Sequence, residues 1–235
     1  MKKNSLPFLR ELDKKLKDIF GYPDIRAEND STGALIRGIL SANTNDVNRD
    51  RAFSRLESEY KNTTIDWEKV ASTPEEKLAE IIKPAGMSMI RAERIKGALE
   101  WLKKEFGEYS AKNLLEIDQD IAYQKLQEIK GIGAKTAAVF LVFNGEKGKI
   151  KYFPVDTHIH RVAARIGIFP AKYSPAKMIV KFTEIVEPEI VISLHINMIE
   201  LGRHICRSRK AICFECPIID ICEQKLPKVK IAKEN

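Results

Sequence analysis

Apolar residues recur along this chain every three or four positions, in blocks separated by Gly, Pro and short polar runs. That spacing puts them on one face of an α-helix. Phe8, Leu9, Leu12, Leu16, Ile19 and Phe20 define a first helix, ended by Gly21-Tyr22-Pro23. A second begins near Ser31-Thr32 and buries Leu35, Ile36, Ile39 and Leu40; the polar stretch 41–46 after it reads as a loop. A third runs from Asp46, with Val47, Phe53, Leu56 and Tyr60 as its apolar contacts. Thr73-Pro74-Glu75-Glu76 has the form of a capping box with Pro at the first helical position, so a helix is expected to start there, and Lys83-Pro84-Ala85-Gly86 stops it. Another spans about 89–106, before Gly107. Further helices are expected over 174–186 and 189–205. Few segments alternate as strands do, and no repeat of fixed period is present. The pattern predicts an all-α fold.

The stretch 126–156 organises the rest. A helix marked by Ile121, Leu126 and Ile129 breaks at Gly131-Ile132-Gly133 and restarts at once at Ala134-Lys135-Thr136. The restarted helix is apolar almost all round to Phe143, the mark of a helix buried on every side. Gly131 and Gly133 can take positive φ without penalty, so the turn can be tight and another molecule can approach its backbone. The helix after it starts with N–H groups that have no intrahelical acceptor and with the positive end of its dipole, an arrangement that favours a phosphate. Lys135 falls in that first turn. Burial and the helix end favour a neutral amine, the form that attacks an electrophilic carbon to make a Schiff base. The plainer reading is a Lys that touches phosphate.

Downstream, Asn144-Gly145 makes a turn, 145–151 reads as a connector, and Phe153-Pro154-Val155 as extended. A helix from about Thr157 carries Ile159, Val162, Ala163 and Ile166, and stops at Gly167. Asp156 precedes it. Capping alone would account for this residue; a carboxylate there can also stabilise positive charge developing on a sugar, or relay a proton. His158 can line a pocket, His160 reads as packing or surface, and His195 and His204 as helix surface.

All four cysteines fall in one short window, Cys206-x6-Cys213-x2-Cys216-x5-Cys222. In an intracellular chain such clustering points to metal ligation rather than disulfides. Structural zinc sites usually pair two Cys-x-x-Cys knuckles across a longer spacer. One Cys-x-x-Cys flanked by two single cysteines better suits a cubane iron–sulfur cluster with four thiolate ligands. Arg207, Arg209 and Lys210 lie between the first two ligands, where they would form a basic finger pinned at both ends. Its cations either offset the cluster's charge or meet phosphates.

Composition narrows the partner. The chain has 235 residues, 44% of them hydrophobic, enough for one large domain or two small ones. Lys and Arg total 40 against 33 acidic residues, giving +7 and a pI near 9.1, which suits nucleic acid or an anionic membrane surface. No apolar run approaches the ~20 residues of a membrane span. The first ten residues turn charged before a signal-peptide core develops, so an intracellular protein is expected.

Taken together, Leu126-x2-Ile129-Lys130-Gly131-Ile132-Gly133-Ala134-Lys135-Thr136-Ala137, then Val155-Asp156-Thr157-His158-Ile159-x-Arg161-Val162, then the four-cysteine loop, resemble endonuclease III, the iron–sulfur branch of the helix-hairpin-helix DNA glycosylase superfamily. The similarity runs over about 31–224, and three motifs in one order are specific together. The resemblance implies two lobes: a six-helix barrel over 25–147 carrying the hairpin, and a cluster lobe of 1–24 with 148–235. It places the Schiff-base lysine at Lys135 and its aspartate at Asp156, across a cleft, and a 4Fe-4S cluster on Cys206, Cys213, Cys216 and Cys222. Two loops of the family probe the gap left by an extruded base. Ser41-Ala42-Asn43 matches one and Met87 the other, with Asn43 and Met87 standing where the family commonly has Gln and Leu. The implied protein is a monomeric, membrane-independent DNA glycosylase and abasic-site lyase. It acts on duplex DNA with damaged bases, chiefly oxidised pyrimidines. A thymine/uracil–guanine mismatch glycosylase and a non-catalytic iron–sulfur DNA-binding protein are the alternatives.

Overall fold

The computed structural model describes residues 2–23, 30–42, 44–146 and 149–223. Among them the secondary structure is helical: α1 (Leu6–Phe20), α2 (Ser31–Ser41), α3 (Asp46–Tyr60), α4 (Trp67–Ser72), α5 (Glu75–Ile81), α6 (Ser88–Phe106), α7 (Asn113–Glu116), α8 (Gln119–Glu128), α9 (Ala134–Asn144), α10 (Thr157–Ile166), α11 (Pro175–Thr183) and α12 (Pro188–His204), with 3-10 turns at Lys83–Ala85 and Cys213–Glu215. The one β-type pairing among the described residues is an isolated bridge between Lys61 and Ile65. No helix of the described residues is long and apolar enough to cross a membrane. They fall into two compact units, one built from residues up to 23 and from 145 on, the other from 30–144.

In the unit of residues 30–144, Leu35, Ile36, Ile39 and Leu40 of α2 are buried, as are Leu56 of α3, Leu78 of α5, and Ile95, Leu99 and Leu102 of α6. Each such side chain withdrawn from water contributes roughly 1.5–3 kcal/mol. α9 packs on both α2 and α8. Its residues Ala137, Ala138, Phe140, Leu141 and Val142 are buried, which is why the segment is apolar all round. Small residues let α2 approach it: a Cβ on Gly38 would stand 3.0 Å from Cγ2 of Thr136.

In the other unit, α1 packs on α12 and α10 packs on α12 and α11. The chain's first helix is tied in by polar contacts as well as by Phe8, Leu9, Leu12 and Leu16. Buried Asp13 accepts a hydrogen bond from Ser193 at 2.6 Å and pairs with Lys17 at 2.5 Å. Phe182 packs against both Phe153 and Phe169, with ring centroids 4.4 and 4.8 Å apart.

Several positions depart from the periodicity reading. Ile19, Val47 and Ile121 are exposed, at 58, 61 and 49%. Each lies in the first or last turn of its helix, beyond the stretch that packs. The capping box at Thr73 does not form. Thr73 ends α4, donating its hydroxyl to the Lys69 carbonyl at 2.7 Å and accepting from Tyr60 at 2.9 Å, and α5 starts at Glu75 with no side-chain cap. The short helices α4 and α7 escape a test built on several turns of period.

The α2–α9 contact is tight enough to test. Gly38→Leu drives a branched side chain into Thr136, and stability is expected to fall by roughly 1–3 kcal/mol, the usual cost of overpacking. Urea denaturation measures it; an unmoved midpoint would show that the contact yields freely.

Candidate active site and nucleic-acid interface

The hairpin between α8 and α9 is held from beneath. Ile129 and Ile132 are 2 and 4% exposed, and the Ile132 N–H donates to the Ile129 carbonyl at 3.0 Å. The α8 helix ends at Glu128, so Ile129 and Lys130 already belong to the turn. Lys130 pairs with Glu93 of α6 at 2.5 Å and holds that carboxyl below its usual range.

The two glycines do different things. Gly131 has φ +96°, and a Cβ there would stand 2.5 Å from Cδ of Arg94. Gly133 is outside the left-handed region, and a Cβ there would meet nothing within 4 Å. Its carbonyl accepts from the Ala137 N–H at 3.0 Å, which makes it the N-cap of α9. The N–H groups of Ala134, Lys135 and Thr136 therefore come before the first intrahelical donor, that of Ala137. Gly133 leaves open space beside them, and Lys135 is half-buried in this first turn. Arg94, under Gly131, has a buried Nε with no hydrogen-bond partner among the described residues.

Two further loops of this unit are joined by a residue that periodicity overlooks. Gly86 and Met87 have φ +73° and +46°, Met87 being the one non-glycine of positive φ among the described residues. Its side chain is 48% exposed, at the N-cap of α6. Arg91, one turn on and 1% exposed, donates to the carbonyls of Gly86, Ile39 and Ala42 at 2.7, 2.7 and 2.5 Å. Burial and the nearby Arg94 cation push its pKa below the usual value. Asn43 lies outside the described residues; Ser41 ends α2 and Ala42 follows it. A charge at a position in line with Ile95, Ala98 and Leu102 on α6 is the sequence signal that could have singled out Arg91.

In the other unit, Asp156 caps α10. Its Oδ1 accepts from the Ile159 N–H at 2.8 Å, and the side chain is half-buried. His195, read as surface from sequence, is 3% exposed. Its Nδ1 donates to the Pro154 carbonyl at 3.0 Å, fixing the extended segment that leads into Asp156. His158 is half-buried: its Nδ1 stands 3.2 Å from Nη2 of Arg161, and its Cβ would lie 2.9 Å from a Cβ at Gly202 of α12. His160 donates through Nε2 to the Tyr173 carbonyl at 2.7 Å, a packing role, and exposed His204 faces Glu200 at 3.0 Å.

None of the four cysteines is in a disulfide; all are half-buried and line one cavity together with Val162, Ile166 and Leu201. Among the described residues no three His, Cys, Asp or Glu side chains are grouped to hold a metal ion. Burial, with the neighbouring thiols, pushes Cys216 up to about 11, and burial raises Cys213. Arg165, 6% exposed, lies 3.4 Å from the Cys206 sulfur and donates to the carbonyls of Arg207 and Ser208 at 2.7 and 2.9 Å. Arg161 donates to the Cys206 carbonyl at 3.1 Å. Two arginines of α10 thus anchor the start of the segment carrying Arg207, Arg209 and Lys210, which are exposed.

Comparison with known proteins gives these features a family. Residues 36–188 match the model of the HhH-GPD superfamily base excision DNA repair proteins. An endonuclease III of Sulfolobus acidocaldarius is 32% identical over 200 residues, 83% of each chain. An endonuclease III of Thermotoga maritima is 27% identical over 202 residues, 86% of this chain and 87% of that one. Among solved structures, a trapped endonuclease III–DNA covalent intermediate shares the fold with a TM-score of 0.76 at 22% identity, over 94% of this chain and 96% of that one. The chain belongs to the HhH-GPD superfamily of base excision DNA repair proteins. Within it the chain is endonuclease III-like, a base-excision-repair DNA glycosylase.

The unequal glycines are separable by stability. Gly131→Ala forces a Cβ into the left-handed region and against Arg94, and is expected to cost roughly 1–2 kcal/mol or more. Gly133→Ala meets open space and is expected to shift the denaturation midpoint much less. Equal shifts in the two variants would remove the conformational requirement from Gly131.

Proposed function

We propose that this glycosylase is bifunctional, excising damaged bases from duplex DNA and then cutting the strand at the abasic site, with oxidised pyrimidines as its substrate class. One observation carries the reading: Lys135 stands half-buried in the first turn of α9, directly after the hairpin whose Gly133 leaves open space beside the start of that helix. A helix start that binds the DNA backbone thereby presents an amine beside the deoxyribose.

Base flipping brings the target nucleotide out of the stack. The Lys135 amine forms a bond to C1′. The bond from C1′ to the base breaks, and its electron pair leaves with the base, which gains a proton. The new ammonium loses a proton, and the sugar ring opens to a Schiff base. Loss of a C2′ proton leaves an electron pair that forms a double bond as the C3′–O bond breaks, expelling the 3′ phosphate. The Asp156 carboxylate stabilises the cationic sugar and helps take the proton from Lys135. Gly131 and Gly133 bring backbone N–H groups to a phosphate; Asn43 and Met87 enter the gap that the flipped base leaves. Arg207, Arg209 and Lys210 meet phosphates outside the lesion.

Cys206, Cys213, Cys216 and Cys222 suit a 4Fe-4S cluster. None is in a disulfide, they share one cavity, and a cation, Arg165, faces the first of them. Four thiolates collected in a part-buried place need a cationic core to be stable together. When bound, the cluster supplies thiolate–iron bonds that fix the loop 206–222.

Borohydride trapping on abasic duplex tests the nucleophile. Lys135→Gln is expected to abolish the trapped complex and strand cleavage while leaving DNA binding largely intact; undiminished trapping would move the nucleophile elsewhere. Asp156→Asn keeps a capping side chain, so stability should change little. Excision should nevertheless drop by roughly a hundredfold, the scale of losing one transition-state electrostatic contact. Oxidised pyrimidine duplexes should be processed faster than thymine or uracil opposite guanine, and the reverse order would favour mismatch repair.

Metal analysis tests the cofactor. The purified protein should be brown and contain about four iron atoms per chain if the four thiolates hold a cubane. A colourless protein with one zinc would overturn the assignment.

A further inference from the structure

A buried cation normally sits beside a carboxylate. Arg91 makes no ion pair with the described residues. Its planar fork is spread instead over three backbone carbonyls, those of Ile39, Ala42 and Gly86. Ile39 and Ala42 belong to the last turn and the C-cap of α2, where carbonyls lack intrahelical donors and the dipole is negative. Gly86 belongs to the loop before α6, well separated from them in sequence. One side chain therefore joins the two loops.

The bond to Gly86 also sets the geometry of Met87. Fixing the Gly86 carbonyl fixes the plane of the peptide that ends at the Met87 nitrogen. Met87 then keeps φ +46° and ψ +40°, a conformation that costs a non-glycine about 1–3 kcal/mol and persists only where its surroundings over-determine it. The result is an exposed thioether on a strained, buried footing, tied to the segment that flanks Asn43.

We propose that Arg91 is a positioning residue that locks the Ala42 loop and the Met87 loop into one rigid two-pronged probe of the lesion gap. The proposal rests on the reading that these two loops enter that gap. Without Arg91 the prongs move independently and Met87 relaxes out of the left-handed region. Ordering them then falls on the binding step. Displacing a paired base becomes harder, and sensing of the opposite base weakens. An abasic site has no base to displace, so reaction there is much less affected.

Arg91→Lys keeps the charge but cannot reach three carbonyls as a fork; Arg91→Met removes the charge while keeping length. Both are compared with Met87→Ala at temperatures where circular dichroism shows full folding. Three quantities are read: excision from lesion duplexes carrying each opposite base, fluorescence of 2-aminopurine beside the lesion as a signal of flipping, and borohydride trapping at a preformed abasic site. Excision in the Arg91 variants is expected to fall by roughly ten- to a hundredfold, the scale of a displacement of about 1 Å. Opposite-base preference and the flipping signal should weaken as in Met87→Ala, while trapping changes by less than about threefold on that same scale. If Met87→Ala alters flipping and the Arg91 variants do not, the Arg91 proposal fails while the loop reading stands. If Met87→Ala changes nothing, the loop reading itself fails. Equal losses in excision and trapping would reduce Arg91 to general support of the fold and overturn the proposal.

Discussion

Helix α9 has almost no face for solvent, and the hairpin depends on that. Ala137, Ala138, Phe140, Leu141 and Val142 are all buried, and the helix packs on α2 and α8. A helix enclosed in this way cannot slide or rotate without opening cavities, each deleted contact costing on the order of kilocalories. Its first turn inherits the rigidity. Lys135 is the second residue of α9 and Thr136 the third, and Thr136 leaves no room for a Cβ on Gly38 of α2. The proposed attack of the Lys135 amine on one carbon atom needs a footing of this kind, since catalytic power depends strongly on placement. The hairpin itself spends little on conformation, because Gly131 alone takes the left-handed region.

Loops carry much of the proposed interface, and loops have few contacts of their own. Here buried and half-buried arginines do for them what apolar side chains do for helices. Arg91 gathers the carbonyls of Ile39, Ala42 and Gly86. Arg165 gathers those of Arg207 and Ser208, and Arg161 takes that of Cys206. A guanidinium suits this role because it carries five donors in one plane and stays charged, so it can satisfy several unpaired carbonyls at once. The carbonyls in turn offset the cost of burying the charge. Irregular backbone is thereby held without a regular ladder of hydrogen bonds.

The helical content was legible because most of the packing here is helix on helix, and period alone reports it. Leu35, Ile36, Ile39 and Leu40 show the apolar stripe of α2, and Gly107 and Gly167 end helices in the left-handed conformation the sequence leads one to expect. What failed did so for local reasons. Val47 and Ile121 match the period but fall where the helix overhangs its packing surface. Thr73 looks like a cap, yet the carbonyl of Lys69 and the hydroxyl of Tyr60 already occupy its hydroxyl. The candidate site was legible where chemistry is written as a motif: the hairpin glycines, Lys135, Asp156 and the cysteine spacing. It was not legible where a charge is used inside the protein. Arg91, Arg165 and His195 lie on faces that period marks as apolar, and most of their hydrogen bonds go to backbone carbonyls, which carry no sequence signature.

Asp156 shows why a structural role and a chemical one need not compete. Its Oδ1 is engaged by the Ile159 N–H, a bond that orients the carboxylate and occupies one of several acceptor sites. That bond fixes the direction in which the carboxylate points. The proposed role, facing a cationic sugar, needs a carboxylate that is held still, and the cap provides that. The segment before it is held too, since the His195 ring donates to the Pro154 carbonyl and Phe153 is wedged against Phe182. After it, Arg161 and Arg165 on the same helix grip the start of the cysteine loop. The orientation of α10 is therefore set from its first residue to its last turn by contacts that each have a nearer purpose. A substitution at any of them would reach Asp156 through the helix without touching DNA.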